Sequence, residues 1–220
     1  AVHGILISIA LLLLVMLGFW LVLPVDDEWL KLIHSTNPTV KYWATQLSYY
    51  GDFAGFNVVL FVALLLIGKW SRSRLLMRLA VASMLCALMS GLTANVVRFA
   101  TGRPRPSAKT VDVLRGPSFS SDFHALPSAH SATAFGGALP LLMSTPIVGA
   151  PLTIIATGVG WSRLQLGRHH PSDVLASFII AFIFSVPLSR WALRFPPPTS
   201  IASARLFPQR HAITSASRTH

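Results

Sequence analysis
The stretch from Gly4 to Val25 runs for 22 residues without a charged side chain. That is long enough to cross the hydrocarbon core of a bilayer as a helix, and inside lipid only helices and closed barrels satisfy their own backbone. Five further apolar runs follow: Phe53 to Lys69, Leu79 to Val97, Ser128 to Met143, Ile147 to Trp161 and Val174 to Trp191. Composition agrees: 11% of the 220 residues are charged and 53% hydrophobic, where a water-soluble domain carries about 25% charged residues. The expected fold is all-α, an integral membrane protein built as a six-helix transmembrane bundle. Several runs are short for ~30 Å of hydrocarbon and must continue into flanking polar residues. The second is expected to be lengthened by the preceding "VKYWATQLSYYGD".

Between the first two runs, "DDEWLKLIHS" reads either as an interfacial amphipathic helix, with Trp29, Leu30, Leu32 and Ile33 on its apolar side, or as a solvated loop. The first run lacks a basic leader and a small-residue cleavage site, so it is expected to be retained as a helix. After Pro196 the chain turns polar and Pro-broken, which predicts a disordered tail over 196–220 and a single membrane domain over 1–195. The lone cysteine, Cys86, falls inside the third run and is expected to be a small packing residue.

Six spans place both termini on one side. The 18 Lys and Arg then divide equally, nine to each side, while all seven acidic residues fall opposite the termini. Orientation follows Lys and Arg counts. The tie resolves if the arginines opposite the termini serve chemistry, which predicts cytoplasmic termini and an outward-facing site; the compact 220-residue chain without inserted domains suggests a bacterial inner membrane. The net charge of +11 then reflects topology and calls for no nucleic-acid partner.

Three polar clusters fall on that outward side. They are "RFATGRPRP" at the end of the third run, "LPSAHSA" at the start of the fourth, and "SRLQLGRHHPSD" between the fifth and sixth. Guanidinium groups gathered against a membrane bundle are expensive unless an anion binds there, and their planar forks suit phosphate oxygens. In "PSAHS", Pro127 at a first helical position would leave the amides of Ser128 and Ala129 pointing out of a helix N-terminus, a ready anion site. His169 and Asp173 are four residues apart and would share one helix face, with the carboxylate accepting a proton from one ring nitrogen and freeing the other to attack phosphorus. His130 is placed to protonate a leaving oxygen and later to activate water.

These clusters resemble the three-part signature of the type 2 phosphatidic acid phosphatase superfamily. The first motif, Lys, six residues, Arg-Pro, is matched by Arg98 and Arg105-Pro106, with Arg for Lys. The second, Pro-Ser-Gly-His, is matched by Pro127-Ser128-Ala129-His130, with Ala for Gly. The third, Ser-Arg, five residues, His, three residues, Asp, is matched without departure by Ser162-Arg163, His169 and Asp173. The resemblance implies His169 as nucleophile, Asp173 as its orienting group and His130 as general acid. It also implies that Arg98, Arg105, Ser128, Ala129, Ser162 and Arg163 hold the phosphate, with no metal and no cofactor. The implied substrate is a membrane lipid phosphate or pyrophosphate: undecaprenyl pyrophosphate, phosphatidylglycerol phosphate or phosphatidic acid, with lipid A phosphates as the alternative. A metal-dependent hydrolase using His124, His130, His169, His170 and Asp173 is disfavoured by the surrounding arginines. A lipid or anion transporter is disfavoured by the absence of inverted repeats in the sequence. Asp52, after "SYYG", is expected to cap the second span, and Arg103, Arg115 and Arg168 divide evenly between anchoring and function. Nothing in the sequence specifies an oligomeric state.

Overall fold
The computed structural model describes residues 2–108, 110 and 114–194. Among these residues the chain is helical, with no strand. Helix α1 (Val2–Val22) leads through a short 3-10 turn into α2 (Asp26–Ile33), followed by α3 (Pro38–Tyr50), α4 (Val59–Trp70), α5 (Arg74–Thr101), α6 (Ala129–Ser144), α7 (Pro146–Gln165) and α8 (Pro171–Leu193).

Among the described residues five stretches are long and apolar enough to cross a membrane: Ile9–Ile33, Phe53–Trp70, Arg74–Thr101, Pro146–Gln165 and Pro171–Leu193. The expected sixth span, α6, has 16 residues and at 1.5 Å per residue is about 24 Å long, short of the ~30 Å core. It is the central helix, buried without interruption from Ser131 to Leu141 and packed on α5, α7 and α8. Its small residues explain this position. Transmembrane helices lack a hydrophobic drive to associate and gain from close backbone approach at Gly, Ala and Ser. Ala134, Phe135, Ala138 and Leu139 of α6 form a core with Ala156 and Val159 of α7 and Ala181 and Phe182 of α8. Large apolar side chains such as Leu13, Trp20, Leu66, Ile147 and Ile154 are exposed on the outside of the bundle, where lipid covers them. Cys86 is buried as expected, its sulfur 3.2 Å from the Ser185 hydroxyl.

The closeness at α6 predicts a measurable cost. A Cβ on Gly136 would lie 2.8 Å from Ala87 Cα and 2.9 Å from Ala87 N, backbone atoms that cannot turn aside, whereas one on Gly18 of α1 meets nothing within 4 Å. Gly136→Ala is expected to destabilise by about 1–3 kcal/mol and to lower the thermal midpoint in detergent. Gly18→Ala should leave the midpoint unchanged.

Two connections differ from expectation. "VKYWATQLSYYGD" does not extend the second span but forms a separate helix, α3, begun by an Asn37 side-chain cap on the Thr39 amide (2.8 Å). It ends at Gly51, where a Cβ would lie 2.3 Å from Val159 Cγ2 of α7. Asp52 then caps the following π-helical turn (Phe53–Val58), its Oδ1 accepting from Gly55 N at 2.6 Å, in line with its expected capping role. Of the two readings of "DDEWLKLIHS", the helix is found. In α2, Trp29 and Leu32 are exposed while Leu30 and Ile33 are partly covered. Gln165 at the end of α7 holds the α2–α3 connection in place, accepting from Ser35 N (2.9 Å) and donating to the Ile33 carbonyl (2.6 Å). The tail expected to be disordered lies outside the described residues.

Candidate active site
Helix α5 ends at Gly102, which adopts the left-handed conformation (φ +55°) and donates its N–H to the Arg98 carbonyl at 3.1 Å. Glycine is the residue for such a helix stop, and here a Cβ would also strike the Gly116 carbonyl oxygen at 1.9 Å. The turn directs the chain across the end of the bundle. There Arg105 N donates to the Asp122 carbonyl (2.8 Å) and Ala125 N to the Arg103 carbonyl (3.0 Å). Arg115 lies over the Phe123 ring at 4.6 Å and is engaged within this connection, and the His124 ring donates to the Ser118 carbonyl at 2.6 Å.

The start of α6 corrects one expectation. Pro127 is not the first helical residue. It precedes Ser128, which is the N-cap, with its hydroxyl accepting from Ser131 N (3.4 Å) and Ser131 Oγ (2.9 Å). The Ser128 amide is not free either, because it donates to the Asp173 carbonyl at 3.3 Å. A buried N–H must find an acceptor, and the start of α8 supplies one. The N–H groups at the open end are those of Ala129 and His130, at the first and second helical positions, which have no acceptor within their own helix.

Helix α7 delivers Arg163. The Ser48 hydroxyl of α3 is 2.6 Å from Arg163 Nη1, so the separate α3 helps orient this side chain. Ser162, by contrast, lies within α7, is fully buried and donates its hydroxyl to the Val159 carbonyl at 2.7 Å. Its amide belongs to the helix, so both donors of the expected phosphate-binding Ser162 are engaged within α7.

His169 and Asp173 also meet differently from the sequence expectation. Helix α8 begins at Pro171 with His170 as N-cap, so His169 lies before the helix and shares no helical face with Asp173. Its Nδ1 is 2.7 Å from the Ala125 carbonyl oxygen and 3.7 Å from Asp173 Oδ2. The first is a hydrogen bond and the second an electrostatic contact. A carbonyl only accepts, so the proton sits on Nδ1 and the Nε2 lone pair is free. Burial disfavours the imidazolium, and the Arg163 charge adds to that. Asp173 and the Ala125 carbonyl act in the opposite direction, and the net shift of the His169 pKa is downward.

The Asp173 carboxylate is fully buried and held on both oxygens. Oδ2 accepts from the His170 amide at 2.7 Å, and Oδ1 accepts from Arg103 at 2.7 Å. Burial opposes the charge on Arg103, but the carboxylates of Asp173 and Asp26 outweigh it and raise the Arg103 pKa.

Electrostatic interaction links Arg105 with Arg98 and Arg168, Arg163 with Arg105 and Arg168, and His130 with Arg163, His169, Arg98 and Asp52. The structure thus brings Arg98, Arg105, Arg163, Arg168, His130 and His169 to one end of the bundle. Burial, and after it the like charges of Arg168 and Arg98, lower the Arg105 pKa. Among the described residues, the enclosed Nε atoms of Arg105 and Arg163 have no acceptor. Like charges held together with orphan donors are an arrangement that a multivalent oxyanion would relieve. Sequence reasoning did not single out Ser48, Gln165, Asp26 or Ser172, nor His170 as the N-cap of α8. An aspartate in the first turn of a helix or a serine within an apolar run carries no local signal of such partners.

The family model for the PAP2 superfamily matches residues 76–197, more than half of the chain. The chain belongs to the PAP2 superfamily. This bears out the resemblance drawn from the three motifs. Among curated PAP2 relatives, the chain is 31% identical over 106 residues to undecaprenyl-diphosphatase BcrC of Bacillus subtilis, covering 47% of this chain and 53% of that protein. It is 36% identical over 104 residues to a lipid A 1-phosphatase of Rhizobium johnstonii, covering 45% of this chain and 42% of that one. The chain thus spans about half the length of these relatives. The crystal structure of a transmembrane PAP2 type phosphatidylglycerolphosphate phosphatase from Bacillus subtilis superposes with TM-score 0.60 over 84% of this chain and 94% of that one, at 18% identity. That likeness establishes the fold. Together with the five apolar helices, it makes the chain a multi-pass membrane protein of PAP2 architecture.

Proposed function
We propose that this chain is a metal-independent phosphatase of membrane lipid phosphates or pyrophosphates, acting through a phosphohistidine intermediate. The observation that carries the reading is a neutral, buried His169, with Nδ1 tied to a backbone carbonyl, set beside four mutually repelling arginines. In this reading Nε2 of His169 attacks phosphorus, forming a P–N bond as the bond to the leaving oxygen breaks. His130 donates the proton that the leaving oxygen takes up, then removes a proton from the water that cleaves the P–N bond and releases phosphate. Arg98, Arg105, Arg163 and the amides of Ala129 and His130 hold the equatorial oxygens, where charge accumulates in the transition state. Arg168, at the edge of the cluster, adds to the attraction for the incoming anion.

The reading covers residues 1–195 as one phosphatase unit. The site lies where α1, α5 and α7 end and α6 and α8 begin, so the start of α1 and the end of α8 lie at the opposite end of the bundle. We place that opposite end in the cytoplasm of a bacterial cell and the site on the outer side of the inner membrane. Undecaprenyl pyrophosphate, phosphatidylglycerol phosphate and phosphatidic acid are the leading substrates, the first supported by the undecaprenyl-diphosphatase relative. Lipid A phosphates are the second reading, supported by the lipid A 1-phosphatase relative.

The test is phosphate release by purified protein from a panel of these lipids, with and without EDTA. Release from at least one lipid, undiminished by chelator, is expected. Loss of activity in EDTA with recovery on adding a divalent cation would overturn the metal-independent mechanism, and no release from any lipid would overturn the phosphatase reading.

A further inference from the structure
Arg103 stands two residues from Arg105 but faces away from the arginine cluster. One terminal nitrogen, Nη1, donates to Asp173 Oδ1 and to Ser172 Oγ, both at 2.7 Å. The other, Nη2, donates to Asp26 Oδ2 at 2.8 Å. Asp26, the first residue of α2, is 4% exposed. Its Oδ1 accepts from the Ser172 amide at 2.8 Å, and the Ser172 hydroxyl donates to its Oδ2. A single guanidinium therefore joins two buried carboxylates from opposite ends of the sequence, and Ser172 closes the ring.

We propose that Arg103, anchored by Asp26, is the positioning residue that fixes the Asp173 carboxylate beside His169. The proposal rests on the phosphatase reading given above. Asp173 lies 3.7 Å from His169 Nδ1, a separation at which its value is the field it exerts on a ring gaining positive charge as the P–N bond forms. That field depends on where the carboxylate points. The His170 amide holds Oδ2 and Arg103 holds Oδ1, so its orientation is fixed. Without Arg103, a fully buried Oδ1 would lose its charged partner, which is costly enough that the group turns or takes up a proton. Only a planar fork reaches two carboxylates in different directions while remaining charged; a lysine offers a point charge to one of them. Asp26 gives Arg103 a second anchor, which makes α2 part of the machinery that aims the nucleophile. Outer groups that orient a reactive centre commonly matter by about 10- to 100-fold.

The experiment uses the full chain in detergent, with dioctanoyl phosphatidic acid as substrate and inorganic phosphate as competing anion. Arg103→Ala is expected to lower kcat by about 10- to 100-fold while KM and the inhibition constant for phosphate stay near wild type. Asp173→Ala should lower kcat as well, and the double variant should fall no further than Asp173→Ala alone, since both changes remove one arrangement. Asp26→Asn should act in the same direction with a smaller loss. If Arg103→Ala does not fold, Arg103→Lys carries the same comparison and should give an intermediate kcat. A raised KM and weakened phosphate inhibition at unchanged kcat would make Arg103 a phosphate ligand and overturn the proposal. So would losses that multiply in the double variant, the signature of a role unrelated to Asp173. A folded Asp173→Ala protein with full turnover would instead overturn the phosphatase mechanism on which the proposal rests.

Discussion

Replacing His169 with alanine is expected to remove phosphate release from lipid phosphates by about three orders of magnitude or more, because the group that forms the covalent intermediate is gone. His169 is buried and bonded to the Ala125 carbonyl, so an alanine also leaves a cavity and an unpaired acceptor. His169→Asn offers an amide N–H to that carbonyl and separates loss of chemistry from loss of structure. Both variants should be inactive, with the asparagine protein melting nearer to wild type. Brief incubation of the wild type with radiolabelled substrate followed by alkaline quench should retain label on the protein, because a P–N bond is labile in acid and survives base. Neither variant should retain it. Wild-type turnover by either one would remove His169 from the nucleophile's role.

His130→Ala is the second large effect. A general acid typically contributes about 10²- to 10⁴-fold, and that contribution depends on how much help the leaving oxygen needs. An alkoxide leaving from a lipid monoester needs a proton, whereas para-nitrophenolate leaves largely without one. The variant is therefore expected to lose about 10²- to 10⁴-fold with dioctanoyl phosphatidic acid and far less with para-nitrophenyl phosphate. Equal losses on both would show that His130 does not protonate the leaving group. Its position at the second residue of α6, within electrostatic reach of Arg163, His169 and Arg98, leaves a binding role as the alternative that result would favour.

The helical, membrane-spanning class was legible because it depends on composition over long windows. Runs such as Gly4 to Val25 leave the backbone no stable alternative inside lipid. The α6 segment shows where that reasoning stops. Hydropathy reports how apolar a helix is and not whether lipid or protein surrounds it, so the central, enclosed position of α6, with Gly136 and Gly137, was not legible. The α3 break was hidden for a related reason. The closeness of Val159 of α7, which leaves no room for a Cβ at position 51, is a contact the local sequence does not show.

The sequence by itself determined the family and the residue types brought to one end of the bundle. Three motifs at helix ends, with internal spacing that tolerates few alternatives, identify Arg98, Arg105, His130, Arg163, His169 and Asp173 as a set. Only the tertiary structure decided how each of them is held. The Nδ1 proton of His169 goes to the Ala125 carbonyl, the Ser128 amide and the Ser162 hydroxyl donate within the protein, and Arg103 turns from the cluster to bridge Asp173 and Asp26. The physical reason is that a hydrogen bond needs its partner within about 3 Å. For His169, Ser128 and Arg103 the partners lie tens of residues away along the chain, at separations that no local pattern encodes.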